Sequence, residues 1–160
     1  MSLPTFGANH DLVAALAKYG ARFMVVGGVA TTFHVPERQT HDPGELDLLI
    51  DPSPENAKKV VAALETLGVR DLTVERLTKP YVQMPLKKRF QGGDFYADML
   101  TPYSDEDFTA CWERAAEDSI SWVTVKVISK ADQIARLRRS GQEKHARDVE
   151  LLERALREKD

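Results

Sequence analysis

The sequence predicts an α/β or α+β fold, a central mixed sheet flanked by helices. Three observations point there. Strand-like apolar runs alternate with amphipathic helical stretches early in the chain, two further strand-like runs flank a glycine turn in the middle, and the last third is helical with one break. A chain of 160 residues with 42% hydrophobic composition can bury one sizeable core. The expected division is a domain over 1–128 and a C-terminal helical pair over 129–160 packed on it.

The elements follow in order. Asn9 is placed to cap a first helix, HDLVAALAKYG, with Leu12, Val13, Leu16 and Tyr19 at helical spacing and Gly20 as its stop. RFMVVGG reads as a buried strand, VATTFHV as a short helix ending before Pro36, and PERQTHDPG as a loop. ELDLLID is a strand. SPENAKKVVAALETLG is a helix with Ser53 as cap, Pro54 in the first turn, and Val60, Val61, Leu64 and Leu67 as its buried stripe. DLTVERLT fits either a strand or a short helix. YVQMPLKKR and GDFYADMLTP read as a hairpin joined by FQGG. SDEDFTACWERA opens with a capping pattern and is helical, SWVTVKVIS alternates as a strand does, and the tail forms two helices broken at Ser140-Gly141. Trp112 and Trp122 are expected to anchor the core of the second half.

Composition narrows the function. A net charge of −3 does not indicate nucleic-acid binding, although a local basic patch is compatible with it. Cys111 is the only cysteine, which excludes an internal disulfide and a cysteine-based zinc site. No apolar stretch is long enough to span a membrane and no basic-then-apolar leader opens the chain, so the expectation is a cytoplasmic protein.

The chemistry gathers in VVGGVATTFHVPERQTHDPGELDLLID. Alternate residues of a strand share a face, so Glu45 and Asp47 point the same way, about 7 Å apart along the strand, while Leu46, Leu48 and Ile50 point the other way. Close carboxylates raise each other's pKa unless a cation intervenes, and a hard divalent ion is the natural partner. The alternative is a half-exposed strand with polar residues on its wet face. Gly27-Gly28 stands where a strand turns into a helix, a place where backbone can approach phosphate, and Thr31 and Thr32 supply hydroxyls in the following turn. The pattern is neither a Walker loop nor a dinucleotide fingerprint. Asp98 stands in a third strand between apolar neighbours; if that strand lies beside the Glu45 strand, three carboxylates converge and can hold two metals roughly 3.5–4 Å apart for displacement at phosphorus. The basic residues of the tail, Arg136, Arg138, Arg139, Lys144 and Arg147, read as helix surface charge or as a phosphate-binding face.

This order of features, Gly-Gly, short helix, acid-x-acid on a strand and a later single Asp, resembles the nucleotidyltransferase superfamily typified by DNA polymerase β. Within it the chain is similar to the small bacterial MNT-like and AbiEii-like members, several of which belong to toxin–antitoxin systems. The resemblance covers nearly the whole chain, including ADMLTPYSDEDFTACWERA and the tail with Lys144 and Asp148. It implies a nucleotidyltransferase fold and metal-dependent transfer of a nucleoside monophosphate from an NTP to an acceptor, whether protein, RNA or small molecule. Gly27, Gly28, Thr31, Arg38 and Thr40 would bind the nucleotide. Glu45, Asp47 and Asp98 would hold Mg2+ or Mn2+ as the catalytic acids, with Asp98 helping to deprotonate the acceptor. The family usually begins the strand pair with Asp, where this chain has Glu45 after a longer loop; a second alignment makes Asp42 the first acid. These departures carry the alternative expectation of a catalytically degenerate relative that binds nucleotide or a partner protein, such as a toxin–antitoxin component.

Overall fold

The computed structural model describes residues 3–38, 45–86 and 93–158, with the backbone of 89–90. Thr40, His41 and Asp42 lie outside the described residues. In chain order the elements are α1 (Asn9–Lys18), β1 (Phe23–Val26), α2 (Gly27–His34), β2 (Leu46–Ile50), α3 (Pro54–Glu65), α4 (Val74–Leu77), β3 (Gln83–Leu86), the short β4 (Arg89–Phe90) and β5 (Gly93–Asp94), β6 (Ala97–Leu100), α5 (Phe108–Arg114), β7 (Ala116–Ile120), β8 (Val123–Val127), α6 (Lys130–Ser140), a 3₁₀ turn (Glu143–His145) and α7 (Ala146–Glu158).

Among the described residues six strands form one mixed sheet in the order β3-β6-β2-β1-β8-β7, and β4 pairs with β5 at the tip of the β3–β6 hairpin. β2 runs parallel to β6 and β1 parallel to β8; the other neighbours are antiparallel. Parallel neighbours need long crossovers, and the segment carrying α3 and α4 supplies the one between β2 and β6. The all-apolar β1 is central and buried at every residue, as a strand covered on both faces must be. Pro85, which cannot donate to a ladder, sits on the edge strand β3.

α3 packs on both α1 and α4, while α2, α6 and α7 form a second group. The first contributes Leu12, Leu16, Val60 and Leu64 to the main core. The second encloses a smaller cluster of Val35, Ile134, Leu137, Leu151 and Leu152. The expected boundary at residue 128 falls in the connection from β8 to α6, where Ser129 accepts the Asp132 N–H as cap. Gly141, in the left-handed region at φ 64, ends α6.

Several expectations are corrected by tertiary contacts. Asn9 does not cap α1; its side chain bonds the Tyr96 backbone on both sides, at 2.9 Å from Nδ2 to the carbonyl and 2.9 Å from the Tyr96 N–H to Oδ1. The same Tyr96 carbonyl accepts the Leu46 N–H at 2.8 Å, so Asn9 braces the start of both β2 and β6. α5 begins later than the capping pattern suggests, with Asp107 rather than Ser104 accepting the N–H three residues on. Strand β7 was not foreseen, because AEDSI has low strand propensity; it forms by pairing with β8 at the edge of the sheet. Trp122 is not a core anchor. It stands 89% exposed on the turn between β7 and β8, while Trp112 packs against the core as expected. No helix among the described residues is long and apolar enough to cross a membrane.

Candidate active site

β1 ends in the glycine pair. Gly27 has φ +72, and a Cβ there would stand 2.1 Å from Oδ2 of Asp47, so both backbone and neighbour demand glycine. This contact follows from the ladder, which pairs Val26 with Asp47. Across β2 on its other side, Asp47 is in register with Asp98 of β6. The strands are parallel and adjacent, so the two side chains leave the same face of the sheet. Asp98 is buried and its Oδ2 accepts Gln83 Nε2 at 3.3 Å.

The electrostatics of the pair are unfavourable on its own. Burial, then the Asp98 charge, then Glu45 push the Asp47 pKa up to about 7, and Arg136 and Lys144 oppose them only partly. Glu45 lies on the surface one residue before β2, within electrostatic reach of Asp47 but outside the ladder. Among the described residues no group of three or more His, Cys, Asp and Glu is gathered to hold a metal. The structure thus juxtaposes Asp47 and Asp98 and leaves Glu45 at the surface.

Asp47 and Gly27 open into a cleft between the sheet and α6. α6 presents Gln133, Arg136, Leu137 and Ser140 to it, the i, i+3, i+4, i+7 face of one helix. Gln133 is buried and its Nε2 donates to the Gly27 carbonyl at 2.9 Å and to the Thr31 hydroxyl at 3.1 Å. Arg136 is almost buried in an ion pair with Glu106 at 2.6 Å. Lys144 and His145 of the 3₁₀ turn line the same cleft. Burial, then Lys144, holds His145 below the ordinary histidine pKa.

Thr31 and Arg38 take up positions behind the glycine turn. Thr31 is fully buried against Gln133. Arg38 donates through Nη1 to the Gly28 carbonyl at 3.1 Å and the Thr32 hydroxyl at 2.9 Å, and through Nε to Asp148 of α7 at 2.7 Å. Both side chains support the turn from beneath, and Arg38 ties it to the C-terminal helix. His34 donates from Nε2 to the Ile128 carbonyl at 2.6 Å, which fixes the proton on that nitrogen.

No family model matches the sequence, and no curated protein matches it. Solved structures do. The chain superposes on ANT(2″)-Ia in complex with adenylyl-2″-tobramycin with a TM-score of 0.57, at 20% identity over 92% of this chain and 87% of that one. It also superposes on the solution structure of the antibiotic-resistance factor ANT(2″)-Ia with a TM-score of 0.57, at 17% identity over 92% of this chain and 82% of that one. The chain has the nucleotidyltransferase fold.

In this nucleotidyltransferase fold the acid pair fits a divalent cation of the magnesium type. Magnesium is commonly held by one or two carboxylates, its shell completed by water and phosphate oxygens rather than by an all-protein cage. Two in-register carboxylates, one of them raised to about 7 by burial and by the charge of the other, supply that donor set. Gln83, Gln133, Tyr81 and Tyr103, all lining the cleft, were not singled out from the sequence. The signal for Gln133 was present: a polar residue at helical spacing with Arg136 and Leu137 on one face of α6. The tyrosines carried no such signal, since they meet only through the fold.

Proposed function

We propose that this chain transfers a nucleoside monophosphate from an NTP to a hydroxyl-bearing acceptor. The observation that carries the proposal is the Asp47–Asp98 pair, in register on adjacent parallel strands and packed against Gly27 where β1 becomes α2. Paired carboxylates beside a glycine turn at a helix N-terminus are what a metal–triphosphate substrate requires. Asp47 and Asp98, with Glu45 close by at the surface, would hold magnesium or manganese, which neutralises charge on the phosphates during transfer.

The remaining roles belong to the chain itself. The glycine turn, fixed from below by Gln133 and Arg38, receives the phosphates. Lys144 and Arg136 make the cleft wall attractive to an anion. The acceptor oxygen attacks the α-phosphorus, the bond from that phosphorus to the bridging oxygen of the β-phosphate breaks, pyrophosphate leaves, and the acceptor proton passes to Asp98. Catalysis of this kind is mainly positioning and charge stabilisation. We place the reaction in the cytoplasm, where NTPs are abundant.

The test is transfer of label from α-labelled NTPs, with magnesium or manganese, to a panel of protein, RNA and small-molecule hydroxyl acceptors, tobramycin included. Label should appear on one acceptor class and disappear in Asp47→Asn and Asp98→Asn. Transfer that survives both substitutions overturns the proposal. NTP binding without transfer to any acceptor would favour the degenerate, binding-only relative.

A further inference from the structure

The cleft has a second end. Tyr81 and Tyr103 line it together with Gly27 and Asp47, and their rings are stacked 4.2 Å apart at 9°. Behind Tyr103 stand the guanidinium groups of Arg136 and Arg139, each 5.2 Å from its ring centre. One face of the Tyr81 ring is therefore covered by Tyr103. The residue is nevertheless 43% exposed and lines the cleft, which leaves the outer face and the ring edges as the surface the ring can offer there.

The backbone adds an independent observation. Tyr81 has φ 44, a left-handed conformation that is an outlier for a bulky residue. Strain of this sort persists where surrounding structure enforces it, and it concentrates at ligand sites. Here the Tyr81 N–H is held by the Pro102 carbonyl at 2.9 Å and the ring by Tyr103. The strain keeps an exposed aromatic face beside the cleft; it does not bury one.

The geometry points to Tyr81 as the platform on which the nucleobase of the NTP stacks. The inference rests on the nucleotidyl-transfer reading above and adds the residue that engages the base. Pro102, the backbone partner of Tyr81, is four residues beyond Asp98, a distance of about 13 Å along an extended chain, so acids and stack lie far enough apart for a phosphate, a sugar and a ring to span. Arg136 and Lys144 line the cleft that joins them. Lys144, with Arg136 beside it, suits a ring tethered to phosphates. Parallel aromatic faces accept any base, because each base has a π face.

The experiment compares magnesium-dependent binding of the four NTPs and of inorganic tripolyphosphate by calorimetry, alongside thermal stability, in wild type, Tyr81→Gly and Tyr81→Phe. Tyr81→Gly should weaken NTP binding by about 5- to 140-fold, the equivalent of one stacked base. Tripolyphosphate binding should not change. Tyr81→Phe should retain NTP affinity. Tyr81→Gly relieves the φ 44 strain while losing the ring's contact with Tyr103, so it should melt close to wild type, whereas a ring with a purely structural role would cost stability. If the glycine variant loses its fold, Tyr81→Leu, which keeps bulk without a π face, carries the same readout. Unchanged NTP affinity in Tyr81→Gly, or equal weakening of NTP and tripolyphosphate, overturns the inference. So does an effect confined to the KM of the acceptor. A wild type that binds tripolyphosphate and NTP equally sinks the base platform alone; a wild type that binds neither sinks the nucleotidyl-transfer reading with it.

Discussion

Replacing Asp47 with asparagine should make the protein more stable at neutral pH and less able to bind a metal–nucleotide. The Asp47 pKa rises from 3.8 to about 7, first through burial and then through the Asp98 and Glu45 charges. Between those two values the folded state holds a proton that the unfolded state releases. Stability is therefore full below pH 3.8 and falls as pH rises to about 7. The difference of 7 − 3.8, at about 1.4 kcal/mol per pH unit, amounts to about 4 kcal/mol. Water reaching Asp47 from the cleft screens part of this, and the expected gain for Asp47→Asn is about 1–3 kcal/mol above pH 7. Urea midpoints of both proteins from pH 4 to pH 8.5 measure it. The gap should be near zero at the acid end, widen toward pH 7 and stay constant above it. His34 and His145, both held below the ordinary histidine pKa by burial, act in both proteins and cancel in the difference. Added magnesium should narrow the gap at pH 8 by stabilising wild type alone. A gap independent of pH, or a wild type more stable than Asp47→Asn at pH 8, would refute the reasoning.

Three more outcomes are expected. Gly27→Ala forces φ +72 on a residue with a Cβ, costing about 1–2 kcal/mol, and its Cβ 2.1 Å from Oδ2 must displace Asp47; calorimetry should show lost magnesium–NTP binding. Arg38→Met leaves Asp148 and the Gly28 carbonyl without their guanidinium and should cost about 1–3 kcal/mol, with hydrogen exchange showing faster opening of α7. Trp122→Ser, at an exposed turn, should change stability by less than about 0.5 kcal/mol in thermal unfolding, whereas a core tryptophan would cost several times that.

Local features of the sequence determined much of this molecule. The apolar FMVV run, the Ser53-Pro54 helix start and the Ser140-Gly141 break act within a few residues of themselves, and each gave the element expected of it. The Gly27-Gly28 turn and the facing of Asp47 were legible for the same reason, because positive φ and strand alternation are short-range properties. Which strands become neighbours is a different matter, fixed by long-range burial. Only the sheet order put Asp98 beside Asp47 and left Glu45 outside the ladder. Only tertiary packing turned Asn9 from a helix cap into a brace for Tyr96, made a strand of AEDSI, and sent Trp122 to the surface while Trp112 stayed in. The cleft itself is the clearest case. Gly27, Asp47, Tyr81, Tyr103 and Gln133 are separated by up to 106 positions, and no local pattern sums over such distances; they meet because α2, which continues β1, buries its apolar face with α6 and α7 and so sets α6 beside the sheet.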